Sequence, residues 1–192
     1  MKKYLLIHIL IYSILNGASI KLPIINKLEN ADLILRRGYG VDSIIAMNFS
    51  EGEKKYSHAG IIYKTNDRIF VIHSEDDSDH EIDGVSIITL NEFLNNTKQW
   101  AIYRFKLSND IKKKIISLAL QYSSQKIKFD NDFDLEDDNK MYCSEFIYKI
   151  VNRSSGFDVI VAGKKVLSRV FVTISDLYEN RFTYLIQDSS IQ

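Results

Sequence analysis

The single cysteine of this 192-residue chain, Cys143, is the residue best suited to nucleophilic chemistry. A thiol nucleophile must reach the thiolate form, needs a base for its proton, and needs donors for the oxyanion of its substrate. Cys143 lies at the predicted start of a helix, where free backbone N–H groups and the helix dipole lower a thiol pKa. The same N–H groups can bind an oxyanion. Because a free cysteine is often only a small core residue, its position leaves catalysis and simple burial both open.

His58 and His73 are the candidate bases. They begin and end two segments rich in β-branched and aromatic residues, 58–63 and 69–73, which are joined by the short polar link 65–68. This pattern predicts a β-hairpin. Because the turn lies midway between them, the two histidines are expected to be cross-strand neighbours on one face. One imidazole can then take the thiol proton while the other orients it. The alternative for each is a purely structural hydrogen bond at a strand end.

The elements that would position these residues indicate an α+β fold. Apolar and alternating segments predict further strands, while helical spacing and capping residues predict helices on both sides of the cysteine. Strands are expected at 33–35, 85–90, 100–105 and 182–186, and helices at 91–96, after a cap at Ser108 or Asn109, from Tyr142 to a stop at Gly156, and after Thr173. Residues 41–50 fit either a helix or a loop. This order favours a mainly antiparallel sheet packed by helices.

Composition and motifs exclude several classes of function. Lysine plus arginine and aspartate plus glutamate number 25 each, the formal net charge is zero, and no basic stripe is present, so nucleic-acid binding is not expected. One cysteine and the absence of an HExxH pattern predict no zinc site. The acidic run from Asp130 lacks the glycine and glutamate that a calcium loop needs, because Leu135 and Met141 occupy those positions. We expect no cofactor, and we expect acidic loops at 74–84 and 128–140.

The N-terminus has the pattern of a secretory signal peptide. Met1-Lys2-Lys3 is a positive start, residues 4–15 are an apolar run, and small residues follow at 16–19. The run is too short to span a bilayer comfortably. We therefore expect residues 1–19 to be a signal and 20–192 to form one exported domain, periplasmic or secreted, with membrane association left open. The alternative is an uncleaved anchor or a first buried helix.

Three strings resemble the permuted NlpC/P60 papain-like superfamily, in its YiiX/YebB-like group, also called permuted papain-like amidases. The strings are Ala31–Gly38 (ADLILRRG), Tyr56–Ile61 (YSHAGI) and Met141–Phe146 (MYCSEF). The resemblance covers residues 30–185. It implies a circularly permuted papain-like core in which the histidine strands precede the cysteine helix, and chemistry at an acyl or amide bond through an acyl-enzyme.

The same resemblance implies roles for individual residues. Cys143 matches the family nucleophile and His58 the family base. Tyr142 matches a frequent tyrosine beside the oxyanion. Ser144 and Glu145 are further candidates for substrate or oxyanion contact, and Glu145 fits a helix-capping role equally well.

The third catalytic position departs from the common pattern. Relatives often place a glutamate near the end of the second strand, whereas this chain has His73 there. A histidine at this place is similar to the lecithin retinol acyltransferase-like branch, which uses two histidines and a cysteine. Glu75 is the alternative residue for orienting His58. Arg36 and Tyr39 are candidates for lining the cleft.

Three functions remain from these observations. The first is a cysteine hydrolase that cleaves an amide or ester bond, with cell-wall peptides or lipid-type amides as natural substrates of an exported enzyme. The second is a lipid acyltransferase or lipid-amide hydrolase that uses the same residues. The third is a catalytically inactive papain-fold binding module in which Cys143 is structural.

Overall fold

The computed structural model describes residues 22–39, 41–66, 68–77 and 82–190. The expected signal segment, 1–19, lies outside these residues. In the described part of the chain, no helix combines the length and apolarity that crossing a bilayer requires.

The described elements alternate between strands and helices. The strands are β1 (Leu33–Gly38), β2 (His58–Lys64), β3 (Ile69–Asp77), β4 (Ile82–Thr89), β5 (Thr97–Phe105), β6 (Lys164–Val166), β7 (Arg169–Phe171) and β8 (Thr183–Asp188). The helices are α1 (Val41–Phe49), α2 (Leu90–Leu94), α3 (Asn109–Ser124), α4 (Cys143–Ser155) and α5 (Ile174–Tyr178). A short 3-10 turn, Ile25–Lys27, precedes β1.

Six of these strands form one sheet in the order β4-β3-β2-β1-β5-β8, and each neighbouring pair is antiparallel. The predicted antiparallel sheet is therefore confirmed. The small β6–β7 hairpin was not predicted, because its short segments carry lysines and an arginine rather than an apolar pattern.

Side chains alternate across the sheet and build two cores. On one face, Leu33, Leu35, Ala59 and Ile61 pack with residues of α3 and α4. On the other face, a smaller core holds α2 against the sheet; its members include Ile34, Ile62, Val71, Phe93 and Trp100. The strand alternation therefore decides which face of the sheet each functional side chain reaches.

The helix boundaries follow the capping chemistry expected from the sequence. Ser108 accepts a hydrogen bond from the Ile111 N–H and caps α3. Thr173 accepts from the Asp176 N–H at the start of α5. Gly156 ends α4 at a φ of 77°, in the left-handed region that favours glycine.

The acidic loop expected at 74–84 is wrong in part. β3 continues to Asp77 and β4 begins at Ile82, with Glu75 opposite Gly84. The acidic side chains are tolerated in this hairpin because they lie at its end, where Asp83 pairs with Lys128 at 2.6 Å. The second acidic segment, 128–140, is irregular as expected, apart from an isolated bridge between its two ends.

A buried ion pair fixes the entry into β1. The Asp32 carboxylate is fully buried and accepts from Arg104 Nε at 2.7 Å, from Arg104 Nη2 at 2.8 Å and from the Glu29 N–H at 2.8 Å. Burial raises the pKa of Asp32 in spite of these bonds, which shows that the carboxylate is costly to enclose. Its value to the fold therefore depends on keeping its partners.

We expect Asp32→Ala to lower the free energy of unfolding by about 3 kcal/mol, because it leaves the Arg104 guanidinium without its buried partner. Urea unfolding followed by circular dichroism measures the change. Asp132→Ala is a suitable control, since that side chain is 76% exposed and its pairing with Lys140 is worth under about 1 kcal/mol. Equal stability of the two variants would contradict a structural role for the buried pair.

Candidate active site

Cys143 is the first residue of α4, and the chain before it is held on both sides. The Glu145 carboxylate accepts from the Tyr142 N–H at 3.1 Å and so caps the helix. Ser74 of β3 donates its hydroxyl to the Met141 carbonyl. These bonds fix the nucleophile candidate against the sheet at a helix start, as the sequence predicts.

The thiol is partly accessible by surface area, yet burial is the largest influence on its pKa. Burial and the negative charge of Glu75 raise the pKa of Cys143 to about 11, while the N–H groups of Ser144 and Ala59 act in the opposite direction. The resting thiol is therefore protonated at neutral pH, and a base is needed to make it a nucleophile.

The two imidazoles meet on one face of the sheet, but they are not directly opposite each other. The β2–β3 register pairs His73 with Gly60, so His58 is its diagonal neighbour. Their ring nitrogens, His58 Nε2 and His73 Nδ1, lie 2.9 Å apart. A Cβ atom on Gly60 would come within 2.3 Å of Val71 Cγ1 and 3.3 Å of His73 Cβ. The glycine therefore permits the close packing beside the histidine pair.

Glu75 and Arg36 add an ion pair to this cluster. The Arg36 guanidinium donates through Nη2 to Glu75 Oε1, and the other carboxylate oxygen, Oε2, lies 3.5 Å from His73 Nδ1. Glu75 Oε1 is 3.8 Å from His58 Nε2. Both histidine distances exceed ordinary hydrogen-bond length. The geometry thus favours His73 as the direct partner of His58, with Glu75 acting through its charge.

Phe93 of α2 closes this side of the site. Its ring stacks on His58 with 5.5 Å between centroids and meets His73 edge-on at 5.6 Å. The Arg36 guanidinium lies 4.9 Å from the same ring and donates to the Phe93 carbonyl. Phe93 therefore covers one side of each imidazole and limits its contact with water. Nothing in the local sequence marks it, because its role depends on how α2 packs across the sheet.

Burial holds both imidazoles neutral. It lowers the pKa of His58 well below 6.5, with the charge of Arg36 acting in the same direction. For His73, burial and the neighbouring His58 lower the pKa to about 3, while Glu75 opposes the shift. Together with the protonated thiol, this gives a resting site without a charged nucleophile or base.

The thiol and the imidazoles approach the start of β2 from opposite faces of the sheet. Cys143 packs with the core that contains Ala59, whereas His58 stacks on the aromatic ring of α2. The β2–β3 ladder begins at the Gly60–His73 pair, so the Ala59 N–H lies outside it and is directed at the thiol. In the described part of the chain, no hydrogen bond joins Sγ to an imidazole nitrogen. The thiol is therefore held beside the residue next to His58, where the two strands diverge.

The structure bonds the side chains of Tyr142, Ser144 and Glu145 to internal partners, and of the two roles expected for Glu145 it shows the helix cap. Tyr142 Oη accepts from the Val172 N–H at 2.9 Å, and Ser144 Oγ donates to the Val172 carbonyl at 2.8 Å. Glu145 is fully buried and forms an ion pair with Lys149 at 2.8 Å in addition to capping α4. All three side chains thus bond to internal partners, and the Ser144 hydroxyl as well as backbone N–H groups is also directed at the thiol.

His58, His73 and Glu75 are also a group whose donor atoms could hold a metal ion, since one from each lies within 4.8 Å of the others. Imidazole nitrogens and carboxylates are ligands for zinc and related ions. Here the two ring nitrogens contact each other at hydrogen-bond distance, and the Arg36 guanidinium occupies Glu75. Its positive charge would oppose a cation. The arrangement therefore fits a hydrogen-bonded pair better than a metal site.

Comparison with known proteins places this site in a wider context. A family model described as permuted papain-like amidase enzyme, YaeF/YiiX, C92 family, matches residues 31–177. No curated protein matches the chain.

One solved structure with a similar fold is the crystal structure of the metalloprotein yiiX from Escherichia coli O157:H7. It aligns with a TM-score of 0.68 over 84% of this chain and 97% of that chain, at 17% sequence identity. At this identity the likeness concerns the fold alone. Together with the family model, it confirms the α+β, permuted papain-like class predicted from the sequence.

We expect Arg36→Gln to raise the pKa of His58 and His73 by about 1 unit, because the guanidinium charge lowers both and also neutralises Glu75. Histidine ring NMR across a pH series measures the shift. Arg37→Gln is the matched control, since the next side chain on β1 points to the opposite face. Unchanged imidazole pKa values in Arg36→Gln would contradict this account of the cluster.

The buried imidazoles also predict a loss of stability in acid. The unfolded chain binds a proton at each histidine below a pH of about 6.5, whereas folded His73 resists protonation down to a pKa of about 3. Stability is therefore full above pH 6.5 and falls between pH 6.5 and 3, by about 1.4 kcal/mol per pH unit for each such histidine.

Urea unfolding at pH 7, 6 and 5 tests this dependence. His73→Gln removes one titrating group, so its stability should fall less steeply with acidification than that of the unsubstituted protein, whatever its stability at pH 7. Parallel slopes for the two proteins would show that His73 is not held neutral by the fold.

Proposed function

Because this chain belongs to the permuted papain-like amidase family, YaeF/YiiX, C92, we propose that it is a cysteine-dependent hydrolase of amide or ester bonds. Cys143 is its nucleophile and His58 its base. One observation carries the proposal. His58 is neutral and hydrogen-bonded to His73, and the backbone N–H of the next residue, Ala59, is directed at the thiol of Cys143. This arrangement supplies both a proton acceptor and a helix start for the same sulfur.

The free nitrogen of His58 defines the direction of proton transfer. Its Nε2 contacts His73, and in the described residues Nδ1 has no hydrogen-bond partner. The thiol S–H bond breaks as its proton passes to Nδ1, and the sulfur forms a bond to the carbonyl carbon of the substrate. In many structures without substrate, such catalytic contacts are long and tighten only when substrate binds.

The pKa values favour proton transfer during attack over an ion pair formed beforehand. The thiol pKa is raised to about 11 and the His58 pKa lies well below 6.5. Each unit of that difference costs about 1.4 kcal/mol for a separated thiolate and imidazolium. The proton therefore leaves sulfur as the sulfur–carbon bond forms, and Glu75 stabilises the imidazolium that results.

The later steps use the same groups. Backbone N–H groups in the first turn of α4 bind the oxyanion. The imidazolium returns its proton to the leaving amine or alcohol as the carbon–heteroatom bond breaks, which leaves an acyl group on Cys143. Water, deprotonated by His58, then cleaves this thioester and restores the thiol.

Two features bear on the substrate class: the export expected from the N-terminal segment, and an exposed aromatic ring next to Tyr142. If the N-terminal segment directs export, cell-wall peptide amides and lipid amides are the accessible substrates. An exposed aromatic side chain, Phe133, lies 5.1 Å from the Tyr142 ring beside the nucleophile and is 40% exposed. An apolar surface at this place supports the second candidate, transfer or hydrolysis of a lipid acyl group by the same residues.

A metal is not part of this proposal. The yiiX protein of similar fold is described as a metalloprotein. In this chain, a metal ion at this site would have to bind His58, His73 and Glu75. The two histidines already bond to each other, and Glu75 bonds to Arg36. No step is therefore assigned to a metal ion.

We expect iodoacetamide to label Cys143 at pH 7, and His58→Ala to slow the labelling at least about tenfold, because the thiol then lacks its base. Mass spectrometry of the single thiol measures the rate. Labelling in urea, where both proteins should react equally, is the control for reagent and thiol. Equal rates in the folded proteins would favour the inactive binding module.

Release of amino groups and of fatty acid from a mixture of peptide and acyl-amide substrates separates the two enzymatic candidates. Cys143→Ala should abolish whichever release is found. Turnover that survives in Cys143→Ala would remove the thiol from the mechanism.

A further inference from the structure

The histidine pair has a third member on β4. Ser86 lies directly opposite His73 in the β3–β4 ladder, and its Oγ is 3.2 Å from His73 Nε2. A continuous chain of contacts therefore runs from His58 through His73 to Ser86. Sequence reasoning missed Ser86 because its partner is set by strand register, which leaves no local signal.

The number of available protons restricts this chain to two arrangements. A neutral imidazole carries one N–H and one lone pair, and a hydroxyl can donate or accept. The His58–His73 contact needs one proton between its two nitrogens. Once the donor in that contact is chosen, the proton positions on both rings and the role of Ser86 follow.

In the first arrangement, His58 Nε2–H donates to His73 Nδ1, and His73 Nε2–H donates to the Ser86 hydroxyl. His58 Nδ1 then has a lone pair and can accept the thiol proton. In the second arrangement every bond is reversed: Ser86 donates to His73, His73 donates to His58, and His58 Nδ1 carries a proton. Only the first arrangement contains a base.

We propose that Ser86 is a positioning residue that holds the pair in the first arrangement by accepting the His73 Nε2 proton. This inference rests on the proposed function, in which His58 acts as the base. Ser86 is half-buried, so its own hydroxyl hydrogen can turn to solvent while a lone pair faces His73. The protonated form of His58 keeps the same donors and acceptors, and the chain needs no rearrangement during turnover.

Glu75 does not make this selection. Its carboxylate lies 3.5 Å from His73 Nδ1 and 3.8 Å from His58 Nε2, the two nitrogens that share one proton. The negative charge therefore acts on both arrangements in a similar way. Apart from that shared proton, the two arrangements differ at His58 Nδ1 and at the contact between His73 Nε2 and Ser86.

Nitrogen-15 NMR of the histidine rings in the substrate-free protein tests the proposal directly. We expect His73 Nε2 and His58 Nε2 to be protonated and both Nδ1 atoms to be unprotonated. Ser86→Ala should give a mixture of tautomers, while Ser86→Thr, which keeps the hydroxyl, and Ser86→Asp, which can only accept when ionised, should retain the first arrangement. A protonated His58 Nδ1 in the unsubstituted protein would overturn the proposal.

Iodoacetamide labelling of Cys143 provides the functional measurement. Ser86→Ala should slow it about tenfold, the effect expected from losing one orienting hydrogen bond, and Ser86→Thr should restore it to within about twofold. Ser123→Ala, on α3 at the opposite face of the sheet, is the matched control and should change neither the spectra nor the rate.

The outcomes separate this inference from the function on which it rests. If the tautomers shift in Ser86→Ala but His58→Ala does not affect labelling, the proposed base is wrong while Ser86 still selects the tautomer. If His58→Ala slows labelling and Ser86→Ala leaves both rate and tautomers unchanged, the role given to Ser86 is wrong.

Discussion

The hydrogen bond between the two buried imidazoles is the interaction on which the rest of the site depends. Two histidines can share a buried position only if both are neutral, because a buried positive charge would lack the solvation that it has in water. The fold meets this requirement with full enclosure of His73 and with the Phe93 ring against both rings. The bond also links β2 to β3 beyond the end of their ladder, since His58 precedes the first paired residue, Gly60.

The Arg36–Glu75 ion pair places one positive and one negative charge beside the buried imidazoles, so the site gains no net charge. The carboxylate can stabilise an imidazolium when one forms, and the guanidinium limits its effect at rest. The same carboxylate raises the pKa of Cys143. An activated thiolate at rest is therefore disfavoured, in contrast to cysteines whose pKa is lowered by a charged histidine. Such a site protects an accessible thiol from oxidation, because the thiolate is the reactive species.

Much of the fold could be predicted because it depends on local patterns. Alternating apolar residues predict the strands of the hairpin, and Ser108, Thr173 and Gly156 mark helix boundaries through capping chemistry. The family resemblance rests on strings around Cys143 and His58, which local sequence also supports as a helix start and a strand start.

The rest depends on contacts between distant segments. The offset between the histidines is set by where the ladder begins, and Gly60 packs against Val71 in a way that turn length does not determine. Tyr142 and Ser144 were expected near substrate because they flank the nucleophile, but both bond to Val172, which is 28 or more residues away. The feature most important for function is that β2 and β3 separate beside Ala59, before the first paired residues, Gly60 and His73. A continuous ladder would engage the Ala59 N–H and leave the thiol and His58 separated by the sheet, whereas an early end to the pairing leaves that N–H for Cys143.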